Sequence, residues 1–417
     1  MLIRAEGGSF AKKPVLIIGW IPRIIVTIAR SLQRYGVPVD VLDLSFEPRI
    51  RSRAIREFTR LPYVSLPPAE FIQRLRDLIK RRGHDMLIPA SDEAIAVVTR
   101  HYDDLKDLLH LACPPPEVAR LVLNKACTLQ MAQQCGIPVP RTSVVSQTEQ
   151  LSELLGRVEL PAIVKPAEKH AHEDGFKSYI VTNREEGMAM LPRLPSSASP
   201  LLLQEYCPGA GVGVQVLLDR GEPLAIFQHR RLKEFPYTGG YAVTAVAEKP
   251  DADLVHLSLT LLRALHWEGI AMVEFRVNPA DGRKVLMEVN GRYWGSLSLP
   301  VLAGMDFPLY HWKVVHGEPP NVPGAYSVGT RWRWTRGYLG RLHWLAIAAT
   351  RSPGARKVLL RDLLDVTNDF GLSVRDSIFQ VSDPMPTAFE VLGSARWLFL
   401  HDVNELFRRF HRPAADF

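Results

Sequence analysis

Near residue 290 the chain reads Met287-Glu288-Val289-Asn290-Gly291-Arg292-Tyr293-Trp294-Gly295-Ser296, with a carboxylate, an amide and a guanidinium at every second position. Alternate side chains of an extended strand leave the same face, so Glu288, Asn290 and Arg292 would converge on one place. Upstream, apolar and β-branched residues at 271–277 and 283–286 flank Asn278-Pro279-Ala280-Asp281-Gly282, the pattern of strand, turn, strand. Pairing Val277 with Val285 sets Glu274 opposite Glu288 and Met272 opposite Asn290. Two carboxylates and an amide oxygen suit Mg²⁺, or Mn²⁺ as a second hard cation, with the remaining coordination supplied by water and phosphate. Opposed carboxylates repel across a sheet, so an ordinary charged face is the weaker account.

Other stretches carry chemistry of the same kind. Leu160-Pro161-Ala162-Ile163-Val164-Lys165-Pro166 is a strand ending on an amine, which is costly to bury unless an anion meets it. His229-Arg230-Arg231-Leu232-Lys233-Glu234 and Thr238-Gly239-Gly240 offer cations and close backbone approach to a triphosphate or an acidic substrate. Charges that protect a sheet edge account equally well for any single one of these residues. Asp92 and Glu93 stand where a strand end meets a helix start, the ligand edge of an open sheet, with N-capping the favoured role. His170 and His172 are an isolated pair in a loop, read as solvated rather than metal-binding.

Glu274 followed by Glu288-Val289-Asn290-Gly291-Arg292 resembles the hallmark of the ATP-grasp superfamily of ATP-dependent ligases. The run through Trp294-Gly295-Ser296-Leu297 is most similar to the branch containing the carbamoyl-phosphate synthase large subunit. The order "Lys125, a helix, Gly136-Ile137-Pro138-Val139-Pro140" looks like the start of that family's core. The resemblance covers roughly residues 14–318 and implies ATP and Mg²⁺ as cofactors. It makes Lys125 and Lys165 phosphate contacts, and Gln204, Glu205, Tyr206 and Cys207 the hinge that holds adenine. Glu274, Glu288 and Asn290 become metal ligands, while Arg292, Asn290 and Lys165 serve the chemistry and Arg230 and Arg231 the nucleotide. The implied reaction turns a carboxylate into an acyl phosphate, which an amine then attacks. One departure is the loop 167–178, which is Gly-rich in the family and here has only Gly175.

The elements that must position these residues follow from periodicity. Strands at 14–20, 37–44 and 85–90 alternate with helices at 22–35 and 68–82, a doubly wound α/β opening. Gly19-Trp20-Ile21-Pro22-Arg23 is a poor dinucleotide fingerprint, which argues against NAD. The expected architecture is α/β, with α+β character in the core. It comprises a pre-ATP-grasp domain at 1–112, a two-lobed ATP-grasp domain at 113–320 and a mainly helical extension at 321–417. Helices are expected at 297–302, 307–315, 337–349, 355–365 and 386–410. Arg331-Trp332-Arg333-Trp334 fits a membrane interface or a core face with a solvated rim, and the packed domain is preferred.

The 417 residues carry a formal net charge of +7, with arginines clustered at 49–60 and from 331 onward. Such runs are usually solvated faces but also suit nucleotides, acidic substrates or an anionic membrane. No apolar run reaches membrane-spanning length and Met1–Gly8 has no signal core, so a cytoplasmic chain is expected, with peripheral membrane contact left open. Cys113, Cys127, Cys135 and Cys207 show no metal or disulfide spacing. The expected partners are small-molecule carboxylates and amines, without nucleic acid, and a homodimer is compatible with the sequence. Carbamoyl-phosphate or carboxyphosphate formation is the nearest alternative. A nucleotide-sugar glycosyltransferase-like protein of cell-surface polysaccharide metabolism would need a second βαβ domain, and a regulatory module would have no use for the metal face.

Overall fold

The computed structural model describes residues 12–44, 50–146, 148–169, 178–194, 200–350 and 352–400. The sequence readings on 1–8, Arg49, His170, His172, Asp174, Gly175, Lys177, Arg351 and the stretch beyond 400 fall outside those residues.

Val15–Ile18, Val39–Asp43 and Met86–Pro89 are strands of a five-stranded parallel sheet with Glu57–Arg60 and His110–Leu111 at its edges. Val15–Ile18 and Met86–Pro89 are apolar on both faces because helices cover both, while Val39–Asp43 buries Asp40 against Arg56 and His84. Pro22–Arg34 buries Ile24, Ile25, Ile28 and Leu32 on one side, while Pro68–Arg82 buries Phe71, Leu75 and Leu78 on the other. The edge strand Glu57–Arg60 lies within the first arginine cluster, which the sequence reading took for a solvated face. Its alternation is too short and too polar to register as a strand.

The second sheet has seven strands, in the order Lys284–Asn290, Gly269–Val277, Ala210–Asp219, Glu222–Phe235, Tyr241–Glu248, Arg331–Arg333, Val374–Asp376. All its pairs are antiparallel except the last. One face is apolar: Val212, Val214, Val216, Val273, Phe275, Leu286 and Val289 pack on the helices Pro116–Leu123, Lys125–Gln134 and Ala252–Ala264. The opposite face buries Leu217, Phe227, Ala247, Ile270 and Met272 in a second core and carries polar side chains over the rest. A smaller antiparallel sheet, Thr142–Val145, Leu201–Glu205, Ala162–Pro166 and Tyr179–Val181, stands beside it. Among the described residues there is one parallel βαβ sheet, so the second such domain required by a glycosyltransferase is not present there.

Arg331–Arg333 and Val374–Asp376 extend the large sheet. Trp332 is buried and its Nε1 donates to Ser298 Oγ at 2.8 Å. The helices Thr335–Ala348 and Pro353–Leu364 close over this end through Tyr338, Trp344 and Leu345. They bring a buried ionic network to the Glu222–Phe235 strand. Lys233 Nζ lies 2.6 Å from Asp369 Oδ2 and 3.3 Å from Asp362 Oδ1. Arg341 Nε donates to Asp362 Oδ2 at 2.5 Å, and its Nη1 donates to the carbonyl of Glu234. Removing one partner of such a pair leaves an uncompensated buried charge. Asp362→Ala should therefore destabilise the chain by about 3–5 kcal/mol, read as a lowered urea midpoint.

Candidate active site

The polar face of the large sheet is set by a β-bulge. Val277 pairs with Lys284 and Arg276 with Val285, one position off the expected register, yet Glu274 pairs with Glu288 and Met272 with Asn290. The extra residue is Met287. Below it Leu286 faces the helices; above it Val289 does the same, so Glu288 and Asn290 both turn to the polar face. The expected opposition of the carboxylates holds although the turn-end pairing does not.

Asn290 is buried, and its Nδ2 donates at 3.1 Å to both Glu274 Oε1 and Glu288 Oε1. The two carboxylates sit in different fields. Burial raises the Glu274 carboxyl above its ordinary pKa, with the Glu288 charge adding to the effect and the Arg231 guanidinium, ion-paired to it, opposing it. Burial works the same way on Glu288, but Lys169, Lys125, Lys165 and Arg292 overcome it and hold that carboxyl well below the usual range. Arg231 is itself fixed by Glu234 at 3.3 Å and by the Gly240 carbonyl at 2.9 Å. A Cβ at Gly240 would stand 2.2 Å from the Phe235 carbonyl, so only glycine allows that turn.

Three lysines face the pair. Asn124 caps the helix Lys125–Gln134 by accepting from Cys127 N, which starts the helix on Lys125. Lys125 Nζ donates to the Pro166 carbonyl at 3.1 Å, placing it beside the end of the Lys165 strand. Burial, reinforced by repulsion from Lys165, lowers the Lys125 ammonium to about 7. Burial also lowers Lys165, against the pull of Glu288. Among the described residues, no hydrogen bond or ion pair engages the Lys165 ammonium. The third is Lys169, to which the sequence reading gave no role. Its Nζ donates to the Val289 carbonyl at 2.6 Å and stands 3.6 Å from Glu288 Oε2, tying the small sheet's exit loop to the carboxylate strand. A lysine in a polar loop gives no signal of burial, so periodicity does not find it.

Arg292 leaves the strand's end and donates through Nη2 to Asp92 Oδ2 at 2.6 Å. The N-cap of the helix Asp92–Arg100 is Ser91, whose Oγ accepts from Ala94 N, and not Asp92. Asp92 instead gives its charge to Arg292. Burial opposes that charge, but Arg292 and Lys169 keep the Asp92 carboxyl below its ordinary value. Beside Arg292 lies Arg23, from the first turn of the helix Pro22–Arg34. Its Nε donates to the Gly295 carbonyl at 2.9 Å and its guanidinium stacks 3.9 Å from the Trp334 ring centroid. Burial brings Arg23 down to about 10, and among the described residues no carboxylate pairs directly with it. A Cβ on Gly295 would sit 2.8 Å from Arg23 Nη2, which accounts for the glycine.

The remaining expected residues divide. Gln204 and Lys165 share a face of the small sheet through the pairs Gln204–Ile163 and Leu202–Lys165. Gln204 Nε2 donates to Thr142 Oγ1 at 2.9 Å, while its buried Oε1 has no partner among the described residues. The Tyr206 N–H donates to the Pro161 carbonyl, and Cys207 is buried with Sγ 3.9 Å from the Glu205 carbonyl. The Glu205 carboxylate is already engaged: Arg283 at 2.5 Å, together with Arg141, depresses its pKa to about 2. Arg230 precedes Arg231 and therefore leaves the opposite face, where it pairs with Glu248 at 2.6 Å. The structure does not bring it to the carboxylate pair.

This architecture is the ATP-grasp fold. Residues 197–337 match the family model described as "ATP-grasp in the biosynthetic pathway with Ter operon". Among solved structures, the chain is similar to an N5-carboxyaminoimidazole ribonucleotide synthetase solved with ADP, at TM-score 0.62 and 16% identity over 80% of this chain and 86% of that one. It is also similar to an L-amino acid ligase from Bacillus licheniformis, at TM-score 0.59 and 17% identity over 74% and 75% of the two chains. A third likeness is the biotin carboxylase domain of a Hydrogenobacter thermophilus 2-oxoglutarate carboxylase, at 0.59 and 15% over 76% and 73%. At these identities the likeness is one of fold. A sequence comparison with curated proteins finds no match.

The depressed Lys125 has a measurable consequence. The unfolded lysine holds its proton to about 10.5, the folded one to about 7. Between those values the unfolded state binds the extra proton, so stability rises with pH. Relative to Lys125→Met, the wild-type chain should gain melting temperature from pH 7 to pH 9.5, and a parallel pair of profiles would contradict the assignment.

Proposed function

We propose that the chain is an ATP-dependent, ADP-forming ligase that activates a carboxylate as an acyl phosphate for attack by an amine or a similar nucleophile. One observation carries this reading. Five cations, Lys125, Lys165, Lys169, Arg231 and Arg292, face three carboxylates, Asp92, Glu274 and Glu288. With Lys125 protonated, as a bound phosphate would keep it, that leaves an excess of two positive charges around a buried carboxylate pair. One divalent cation would raise the excess to four, which balances the roughly four negative charges of a triphosphate at neutral pH. The donor set fits such a cation. Among the described residues no three His, Cys, Asp or Glu side chains gather, so the ion would be held by Glu274, Glu288 and the Asn290 amide and completed by phosphate and water. A divalent cation held by these residues would supply charge neutralisation for phosphoryl transfer.

The chain's own residues do the rest. Lys125 and Lys165 reach the phosphates, and a polyphosphate would restore the Lys125 proton that burial weakens. Gln204 Oε1, a buried acceptor on the face of Lys165, is available to the adenine amine. Arg292 and Arg23 stand at the two ends of the loop that runs from the carboxylate strand to Gly295, where the acid would lie. Its oxygen attacks the γ-phosphorus, ADP leaves, and the acyl phosphate then meets the nucleophile with loss of phosphate. The neighbours solved with ADP, and with MgADP and bicarbonate, support the nucleotide and place bicarbonate in the panel of acids, as does the carboxyphosphate alternative.

The test is ADP release with Mg²⁺ or Mn²⁺ over pools of amino acids, sugar acids and bicarbonate. ADP and phosphate are the expected products; stoichiometric AMP and pyrophosphate would end the acyl-phosphate reading. Glu288→Gln should lower Mg²⁺ affinity and turnover while leaving the circular dichroism spectrum unchanged. Arg292→Lys keeps the charge but loses the two-pronged grip, so kcat should fall by on the order of 10²-fold with ATP affinity little changed. Lys165→Ala should weaken ATP binding without unfolding the chain, and an unchanged affinity would make that lysine incidental.

A further inference from the structure

The helix Pro353–Leu364 is apolar on two sides. Its inward face packs Ala355, Val358 and Leu359 against the core beneath. Its outward face should then be polar, as in an ordinary surface helix. Instead Leu360 is 57% exposed, Leu363 51% and Leu364 80%. Lys357, Leu360, Arg361 and Leu364 follow the three- and four-residue spacing of a single helical face, with Arg356 and Leu363 on its flank. Eight residues beyond Leu364, Leu372 is fully exposed.

Charge is sorted across this segment as well. The acids lean inward: Asp362 to Arg341 and Lys233 and Asp369 to Lys233, both buried, and Asp365, its side chain 40% exposed, to Lys233 at 3.5 Å. The bases lie at the surface: Arg356, Lys357 and Arg361 are exposed, and among the described residues none is in an ion pair, although the Arg356 guanidinium donates to the Ala349 carbonyl at 3.2 Å. Leucines and cations with no acid between them are what an interfacial helix presents to a bilayer, its apolar side chains entering the acyl boundary while its bases meet anionic headgroups. A partner protein of ordinary surface composition would not require the acids to be withdrawn.

We propose that the outward face of Pro353–Leu364 docks the protein on an anionic lipid surface. The inference is independent of the ligase reading, because none of these side chains belongs to the carboxylate face. The experiment is co-sedimentation of the full chain with phosphatidylcholine vesicles containing about 30 mol% phosphatidylglycerol, against pure phosphatidylcholine. Binding should be at least about tenfold weaker on the neutral vesicles and should be lost in roughly 0.5 M NaCl. The double variant Leu360→Glu/Leu364→Glu should lose about tenfold or more in partitioning with an unchanged melting temperature, since both leucines are exposed. Lys357→Glu/Arg361→Glu should do the same through charge alone. Equal binding to neutral vesicles, or no binding to either, overturns the proposal. So does a dimer in sedimentation equilibrium that Leu364→Glu splits without any vesicle binding, which would give the face to a second copy.

Discussion

Two carboxylates held against each other on a buried sheet face are unstable by themselves, and much of the rest of the site answers that repulsion. Glu274 and Glu288 share the Asn290 amide, and each has its own cationic neighbour, Arg231 on one side and Lys169 on the other. Arg231 needs Glu234 and the Gly240 carbonyl to stay in place. Glu234 in turn holds Arg276 at 2.9 Å, and its backbone carbonyl receives Arg341 from the C-terminal helices. Because a charge in a low-dielectric interior must be met by another, one pair of acids organises contacts across segments of chain from Lys169 to Arg341.

The same constraint shows why the residues beyond 320 belong with the site. Arg331–Arg333 and Val374–Asp376 lengthen the sheet whose first strands carry the carboxylates, and Trp334 provides the surface on which Arg23 rests. A guanidinium stacked on an indole is held by the ring's charge distribution, and the Glu390 carboxylate that meets Trp334 Nε1 at 3.4 Å acts on its charge from nearby.

The sequence made the carboxylate face legible because a strand's period of two is strict and the turn at 278–282 is strongly marked. The major helices and the parallel opening were legible for the same reason, apolar spacing over a dozen residues; Pro68–Arg82 and Phe307–Val315 start and stop where the sequence places them. Met287 was not legible, since a bulge inserts one residue without breaking the chemical pattern on either side of it. Arg331–Arg333 became a strand only through partners at 244–246 and 374–376, which three residues cannot announce. Lys169, Asp92 and Arg23 carry ordinary side chains in ordinary local settings. Their roles come from contacts made across 120, 200 and 272 residues, beyond the reach of any local pattern.

The pairing of Asp92 with Arg292 has a consequence of a different order. The arginine at the mouth of the carboxylate face is oriented by an acid at the start of the helix Asp92–Arg100, which packs on the parallel sheet over a hydrophobic core of its own that includes Leu16, Phe71 and Leu75. Readiness of the guanidinium is thus a property of how two separately packed layers meet. A disturbance deep in the first sheet, far from any phosphate, would pass to Arg292 as a change of aim. The aim of one guanidinium is in this sense a joint product of two layers that pack separately, and neither layer alone fixes it.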